Sequence, residues 1–233
     1  MEVVTRQPAG REGQRVQASL EELAERISRV LRDDGTAEPL EGLRLRRASS
    51  PLELGHGLSD PALCVIAQGR KEIWLGETCF QYDPAHYLIS TDELPVASRI
   101  TEASRERPYL GLVVRLDSTL VGSVIAEAGH PSSRNNASVK AIDVSLLDVE
   151  LLDAVVRFVR LLDSPNDARF LAPLLRREIV YRLLIGAQGG RLRHIAALGG
   201  HSHRIARAIE RLRTEFDQPL RIETVARELG MSV

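Results

Sequence analysis

Two cysteines in 233 residues are too few for the disulfide framework of a secreted scaffold. Cys64 and Cys79 both sit in apolar, strand-like stretches. They read as two small buried hydrophobes in a reducing, cytoplasmic compartment, rather than as a redox pair. Long apolar runs are missing too. No stretch approaches the roughly 18 uninterrupted apolar residues of a spanning helix, and the N-terminus MEVVTRQPAGREGQRVQ has no apolar segment behind a basic start. Neither membrane insertion nor export is expected. Nor is there a surplus of one charge: 31 basic residues meet 32 acidic ones, so any binding to nucleic acid or a polyanion has to be local. What remains, 43% apolar and 27% charged residues at the length of one large domain or two modest ones, is an ordinary globular composition.

Residues 1 to 18 are polar and aperiodic, which predicts a loose tail. From Ser19, a capping box with Glu22 opens a run in which Leu20, Leu23, Ile27, Val30 and Leu31 recur at helical spacing until Gly35. Between about residues 40 and 117 the texture changes to short β-prone runs separated by turn signals, as expected of a compact antiparallel sandwich or barrel. The clearest hairpin spans Ala62 to Phe80, with Gly69 and Gly76 at turn positions. Alternation assigns Ile73 and Leu75 to the interior and Glu72 and Trp74 to the other face. It likewise places Leu110, Leu112, Val114 and Leu116 inside. In LCVIAQ both faces are apolar and alternation does not choose between them. Ile73, Leu75, Phe80, Val96, Leu112 and Val114 form the expected lumen set, which could line an apolar pocket or simply fill a small barrel.

After Asp143 the helical period returns. In SLLDVELLDAVVRFVRLLD the polar positions Glu150, Asp153, Arg157 and Arg160 form one narrow stripe and apolar residues cover the rest. So wide an arc must be sealed by a neighbouring helix or by a second subunit. The second reading is preferred and makes Leu151, Val155, Phe158 and Leu162 dimer contacts. A break at Ser164-Pro165 precedes a second helix, LAPLLRREIVYRLLIG, with Pro173 suited to its first turn and Gly186, Gly189 and Gly190 at its end.

The C-terminus holds the most specific pattern. A helix over HRIARAIERLRTEF gathers Arg204, Arg207 and Arg211 on one face, either a solvated stripe or one that crosses a phosphate backbone. In RIETVARELGMSV, Ala226 supplies the small residue needed where two helices touch, Leu229 closes a short apolar face, Gly230 suits the turn, and Met231 is the next buried residue. That is the first half of a helix-turn-helix, without the recognition helix.

In combination, several motifs resemble the AraC (arabinose-regulator) family of bacterial transcription factors over roughly residues 40 to 233. They are Gln68-Gly69-Arg70-Lys71, Leu94-Pro95-Val96, Pro108-Tyr109-Leu110, Leu162-Asp163-Ser164-Pro165 and Arg176-Arg177-Glu178 before Tyr181-Arg182-Leu183-Leu184. The resemblance implies an α+β chain in four parts. Residues 1–36 would be a tail and helix, and 37–143 a cupin-like antiparallel β-barrel sensor. Residues 144–190 would be a helical dimerisation region, and 191–233 a linker with the start of an all-α helix-turn-helix domain that stops short. It further implies promoter DNA and a small-molecule effector as partners, a homodimer and no catalysis. Whether the stop at Val233 marks a fragment or a natural dimerisation partner that does not bind DNA is left open.

The competing class is a cupin metalloenzyme. The hairpin GRKEIWLGETCFQYDPAH lacks the His-x-His such a site requires, and His56 and His86 read as surface or hydrogen-bonded residues. His201 and His203, two apart on a helix, would face different ways. Glu77 and Asp83 read as solvated turn acids. No nucleophile elbow or phosphate-cradling loop is present, and no metal or other cofactor is expected.

Overall fold

The computed structural model describes residues 10–129 and 140–197. The Arg triad at 204–211, His201, His203 and the helix-turn-helix positions 226–231 lie outside the described residues.

The first described element is helix α1 (Arg11–Val30), which buries Leu20, Leu23 and Ile27 as their spacing predicts. The helix starts eight residues before Ser19, so residues 11–18 are not a loose tail. This segment lacks an apolar period but is built of good helix formers, and a Gln17–Glu21 side-chain hydrogen bond of 2.7 Å spans one turn. Ser19 is therefore interior to the helix and caps nothing.

Ten strands follow among the described residues, in two antiparallel sheets. β1 (Gly35–Leu40), β2 (Leu43–Ala48), β4 (Ala62–Gln68), β7 (His86–Ser90), β9 (Tyr109–Arg115) and β10 (Ile142–Leu146) form a six-stranded sheet in the order β1-β2-β9-β4-β7-β10. β3 (Gly55–Ser59), β5 (Arg70–Leu75), β6 (Thr78–Tyr82) and β8 (Leu94–Glu102) form a four-stranded one in the order β3-β8-β5-β6. The α+β class is as read. The sheets, however, pack face to face and are not closed into a barrel: no ladder joins one sheet to the other among the described residues.

Between the sheets lies a small apolar layer of Ala48, Ile66, Ile73, Tyr82, Leu88, Ile100, Tyr109 and Ile142. A second, larger core lies behind the six-stranded sheet, where helices cover its outer face. The sheet is thus buried on both sides, which is why β4 and β9 read as continuously apolar and hide their facing. In β4, Leu63, Val65 and Ala67 turn to the helices while Ile66 and Cys64 turn to the other sheet. In β9, Leu110, Leu112 and Val114 belong to the helix-side core, whereas Tyr109 is in the layer between the sheets. The four-stranded sheet has solvent on its far side, so its strands alternate legibly.

Two glycines are required by geometry. Gly69, between β4 and β5, has φ +90°, and a Cβ there would come within 2.5 Å of the Glu102 carbonyl oxygen. Gly76, with φ +58°, turns the β5–β6 hairpin.

The helical layer comprises α2 (Ser118–Glu127), α3 (Val149–Arg160) and α4 (Pro165–Ile185), with a 3₁₀ turn at Leu161–Asp163 between the last two. Asp117 caps α2 and Asp148 caps α3, each carboxylate accepting a backbone N–H in the first turn. The α3 segment is less exposed than its wide apolar arc suggested. Leu151 and Val155 at 1% and 0%, and Phe158 at 0%, are sealed inside the chain by α1, α4 and the sheet, and Leu162 packs against the same core. Leu151, Val155 and Phe158 are therefore closed to a second subunit, whereas Leu162 is half-buried. The apolar arc is wide because α3 is the central helix of its layer, enclosed on all but one stripe, and on that stripe Arg157 and Arg160 pair with Glu178 of α4 and Glu22 of α1 at 2.6 and 2.7 Å.

Pro165, not Pro173, occupies the first turn of α4. Pro173 lies inside the helix on its exposed side, where water can satisfy the carbonyl left without an N–H partner. Gly186 ends α4, and residues 189–197 are helical again, burying Leu192 and Ile195 in the helix-side core.

Candidate functional site

Between the two sheets, toward the β3–β8 end, the apolar layer gives way to a cavity of about 350 Å³. This size is near the lower limit of typical small-molecule pockets. Its apolar wall includes Leu52, Ile73, Leu88, Val96, Ile100 and Val113. Its polar wall includes Arg44 and Arg46 from β2, Lys71 from β5, Ser90 and Ser98, with Glu53, His56 and Asp60 also lining it. Strand alternation puts these side chains here. On β2, Leu43 and Leu45 point to the helices, leaving Arg44 and Arg46 on the face toward the second sheet. On β5, Ile73 faces inward and Lys71, two residues earlier, shares its face.

The charges in this cavity are unevenly matched. Arg44 reaches the Asp60 carboxylate at 3.3 Å. Arg99, which also lines the cavity, is turned to Glu72 at 2.8 Å and lies 5.2 Å from the centroid of the Trp74 ring on the outer face of its sheet. Neither Lys71 nor Arg46 has an acidic partner among the described residues. Burial pushes the Lys71 ammonium pKa below its ordinary value, and the positive charges of Arg46 and Arg44 add to that effect. Across from it, burial pushes the Cys64 thiol up. Tyr82 and Tyr109 nearby are likewise raised by burial.

Of the six lumen residues read from the sequence, Ile73 and Val96 line this cavity. Leu75 and Phe80 lie in the same layer without lining it. Leu112 and Val114 are on the opposite face of β9, under the helices, because that strand has a core on each side and alternation alone picked the larger one. The cationic residues were missed. They sit in LRLRRA and GRKEIW, and the signal for them was present: a lysine at an inward-facing position, Lys71, two before Ile73.

Other candidate residues resolve simply. His86 Nδ1 lies 2.8 Å from an Asp83 carboxylate oxygen, and Asp83 also accepts the Ala85 N–H at 3.0 Å. His56 is exposed at the cavity rim. Glu77 is exposed in its turn. Cys79 is exposed on the outer face of β6, contrary to the expectation of two buried thiols, while Cys64 is half-buried between the sheets. Among the described residues there is no group of three or more His, Cys, Asp and Glu side chains able to hold a metal ion. No helix among them is long and apolar enough to cross a membrane.

The cavity connects to the last described helix. Ser90, in its wall, donates to the Asp60 carbonyl, and two residues on, Asp92 faces His194 at 3.6 Å. Arg191 pairs with Asp143 at 2.9 Å, and Gln188 donates to Ser145 Oγ at 2.9 Å, both on β10. Residues 188–194 are thereby tied to the edge of the sheet whose inner face forms the cavity floor.

Comparison with known proteins places these features in context. The family model described as the AraC-type transcriptional regulator N-terminus matches residues 39–191. Among solved structures, ToxT from Vibrio cholerae O395 bound to (E)-4-(8-methylnaphthalen-1-yl)but-3-enoic acid is similar with a TM-score of 0.52 at 11% identity, over 82% of this chain and 71% of that one. An apo ToxT variant from Vibrio cholerae strain SCE256 gives 0.49 at 8% identity, over 82% and 71%. The AraC-like transcriptional activator CuxR gives 0.42 at 15%, over 84% and 69%. At such identities the first of these speaks to the fold alone. No curated protein matches the chain.

Proposed function

The chain belongs to the family of AraC-type transcriptional regulator N-termini, and from that premise we propose that it is the sensing part of a DNA-binding regulator whose effector occupies the cavity between the sheets. The observation that carries the reading is the cavity itself. Beside an apolar layer, a pocket of about 350 Å³ keeps the half-buried Lys71 without an acidic partner among the described residues, with the exposed Arg44 and Arg46 at its mouth. A half-buried ammonium without a counter-charge costs stability, which a ligand seated beside it would offset.

In this reading the effector acts by binding one arrangement of the sensor and the C-terminal segment better than another. The contacts from Ser90 and Asp60 through Asp92 to His194 supply a physical route for that bias. DNA-backbone contact is assigned to Arg204, Arg207 and Arg211, and Ala226, Leu229, Gly230 and Met231 are assigned to the scaffold of a helix-turn-helix. The protein works as a cytoplasmic regulator without catalysis. ToxT, similar in fold, is named as bound to an aromatic carboxylic acid, which agrees with a small organic effector here.

A homodimer is part of the same reading, with its contact moved from α3 to the outer face of α4. There Phe170, Leu174, Tyr181 and Ile185 stand exposed along the helix, Phe170 at 72%. A second copy is the occupant the reading requires, since a twofold contact pairs this stripe with itself.

The test uses the complete gene product. Incubated with fragmented genomic DNA at physiological salt, it is expected to select discrete duplex sites. Binding that is indifferent to sequence, at roughly 10⁻⁴ to 10⁻⁶ M and lost as salt rises, would contradict the proposal.

A further inference from the structure

We propose that the cavity between the sheets takes a small polar aldehyde and holds it covalently, as a Schiff base on the ε-amine of Lys71. The inference rests on reading this cavity as the effector site, and it adds the chemical class of the ligand and the atom that binds it.

Lysine is nearly absent from this chain. Of 31 basic residues, all but Lys71 and Lys140 are arginine. A guanidinium stays protonated and is no nucleophile, whereas a lysine gives up its proton readily once it is desolvated. The exposed cations around the cavity, Arg44, Arg46 and Arg99, follow the chain's preference for arginine. Lys140 is exposed as well. Only Lys71 stands half-buried between the sheets, so the position that departs from arginine is the one where an amine can become neutral.

The geometry makes this amine available. In the strand register Lys71 lies beside Tyr82 of β6 and Ile100 of β8, both buried, and its side chain lines the cavity. Among the described residues it has no carboxylate to hold it charged: Asp60 pairs with Arg44, Glu72 with Arg99, and Glu53 is exposed at the rim. Burial disfavours the ammonium form, and the positive charges of Arg46 and Arg44 act in the same direction, against an opposing influence of Cys64. The Cys64 thiol and the Tyr82 and Tyr109 phenols are pushed up by burial and stay protonated. The amine is therefore the nucleophile of this cluster.

Carbonyl addition uses such an amine without an oxidant or an activated co-reactant. The nitrogen lone pair forms a bond to the carbonyl carbon, and the carbonyl oxygen takes up the proton that the nitrogen releases. The carbinolamine then loses one water to give the imine, so amine and aldehyde become imine and water. The uncompensated charge is removed with it. The rest of the wall sets the polarity of the ligand. Ser90, Ser98 and His56 bring hydroxyl and imidazole groups to the cavity, beside Leu88 and Val96. A ligand with a hydroxyl finds partners there, and a plain alkyl chain leaves those groups unpaired. At about 350 Å³ the space suits a small molecule.

The probe is glycolaldehyde, supplied to the 233-residue chain with cyanoborohydride, which reduces the imine to a stable hydroxyethyl amine. Peptide mass mapping reads each amine separately, and the exposed Lys140 is the internal reference. Lys71 is expected to be labelled at least roughly 10-fold faster than Lys140 at neutral pH, and its rate should reach half its maximum at a lower pH. Hexanal, an apolar aldehyde, should show a smaller preference for Lys71 over Lys140. Lys71→Arg keeps the cation and should abolish the fast adduct, Lys140→Arg should leave it intact, and Ser98→Trp should slow Lys71 alone. Circular dichroism checks that each variant folds.

Labelling of Lys71 no faster than that of Lys140 overturns the proposal. If Ser98→Trp then still abolishes the response of the complete gene product to growth conditions, the effector-site reading stands and only the aldehyde falls; if that response survives, both fall. Fast labelling of Lys71 that Ser98→Trp leaves unchanged overturns the cavity as the place of capture. A preference for Lys71 as large with hexanal as with glycolaldehyde overturns the polar class.

Discussion

Phe158 is the residue on which the burial of α3 within one chain can be measured. It is fully buried, in a core shared by α1, α3, α4 and the six-stranded sheet. If that core is intramolecular, Phe158→Ala removes a packed ring and leaves a cavity, at a cost of about 3–5 kcal/mol. For a domain of this size each kcal/mol lowers the melting temperature by about 2–4 °C, so a loss of roughly 6–20 °C is expected. The loss should not depend on protein concentration, because no second chain takes part. Phe170→Ala is the matched control. That ring is 72% exposed, and its removal should change the stability of the monomer by no more than about 0.5 kcal/mol. Differential scanning calorimetry at two concentrations 50-fold apart separates the cases. If Phe158→Ala leaves the melting temperature of dilute protein unchanged while weakening self-association, α3 is an interface helix and the packing described above is refuted.

Three further expectations follow from local chemistry. Gly69→Ala forces a Cβ into the Glu102 carbonyl at a φ of +90° and should cost at least about 1–3 kcal/mol; a melting temperature unchanged by the substitution would show that the turn relaxes freely. The Glu22 carboxylate accepts hydrogen bonds from Arg160, the largest influence, and from Arg26, which hold its pKa at about 2 against an ordinary 4.5 despite an opposing effect of burial. A depressed acid stabilises the fold above its unfolded pKa, and that contribution fades as pH falls from about 4.5 to about 2. The melting-temperature gap between the parent chain and Glu22→Gln should therefore be widest above this window and close at its lower end. A gap that widens toward low pH would reverse the sign and the assignment. Finally, an aromatic disulfide reagent at mild alkaline pH should label Cys79 quickly and Cys64 slowly, since Cys79 is exposed while burial between the sheets raises the Cys64 thiol. Cys79→Ser should abolish the fast phase, and a fast phase that survives it would place Cys64 at the surface.

Much of this architecture was legible in the sequence because local rules and tertiary structure agree. Leu20, Leu23 and Ile27 mark a helix face, Gly69 and Gly76 mark turns, and Ser164-Pro165 marks the break before α4. The readings that moved share one cause. Alternation and periodicity report how many faces of an element are apolar, not which neighbour covers each. Leu112 and Val114 were assigned to the wrong core because β9 has two, and Leu151, Val155 and Phe158 were given to a partner subunit because α3 has neighbours on nearly every side. Pro173 misplaced a helix start because an exposed proline inside a helix costs less than one whose freed carbonyl is buried. At the candidate site, Ile73 and Val96 were found by their apolar character. Lys71 was overlooked because charged residues on strands are ordinarily solvated, as Arg44 and Arg46 at the cavity mouth are, and only the second sheet half-buries it.

The most direct test of the account fills the cavity and asks whether sensing stops. Ser98 lines the cavity on β8, and Ser98→Trp places an indole in the space between the sheets. In the complete gene product, this variant is expected to fold and to bind the wild-type promoter sites in the absence of small molecules. It is also expected to lose the change in transcription that the unaltered protein makes between growth conditions. A variant with its cavity filled that still shifts transcription to the full wild-type extent would contradict the claim that the effector binds between the sheets.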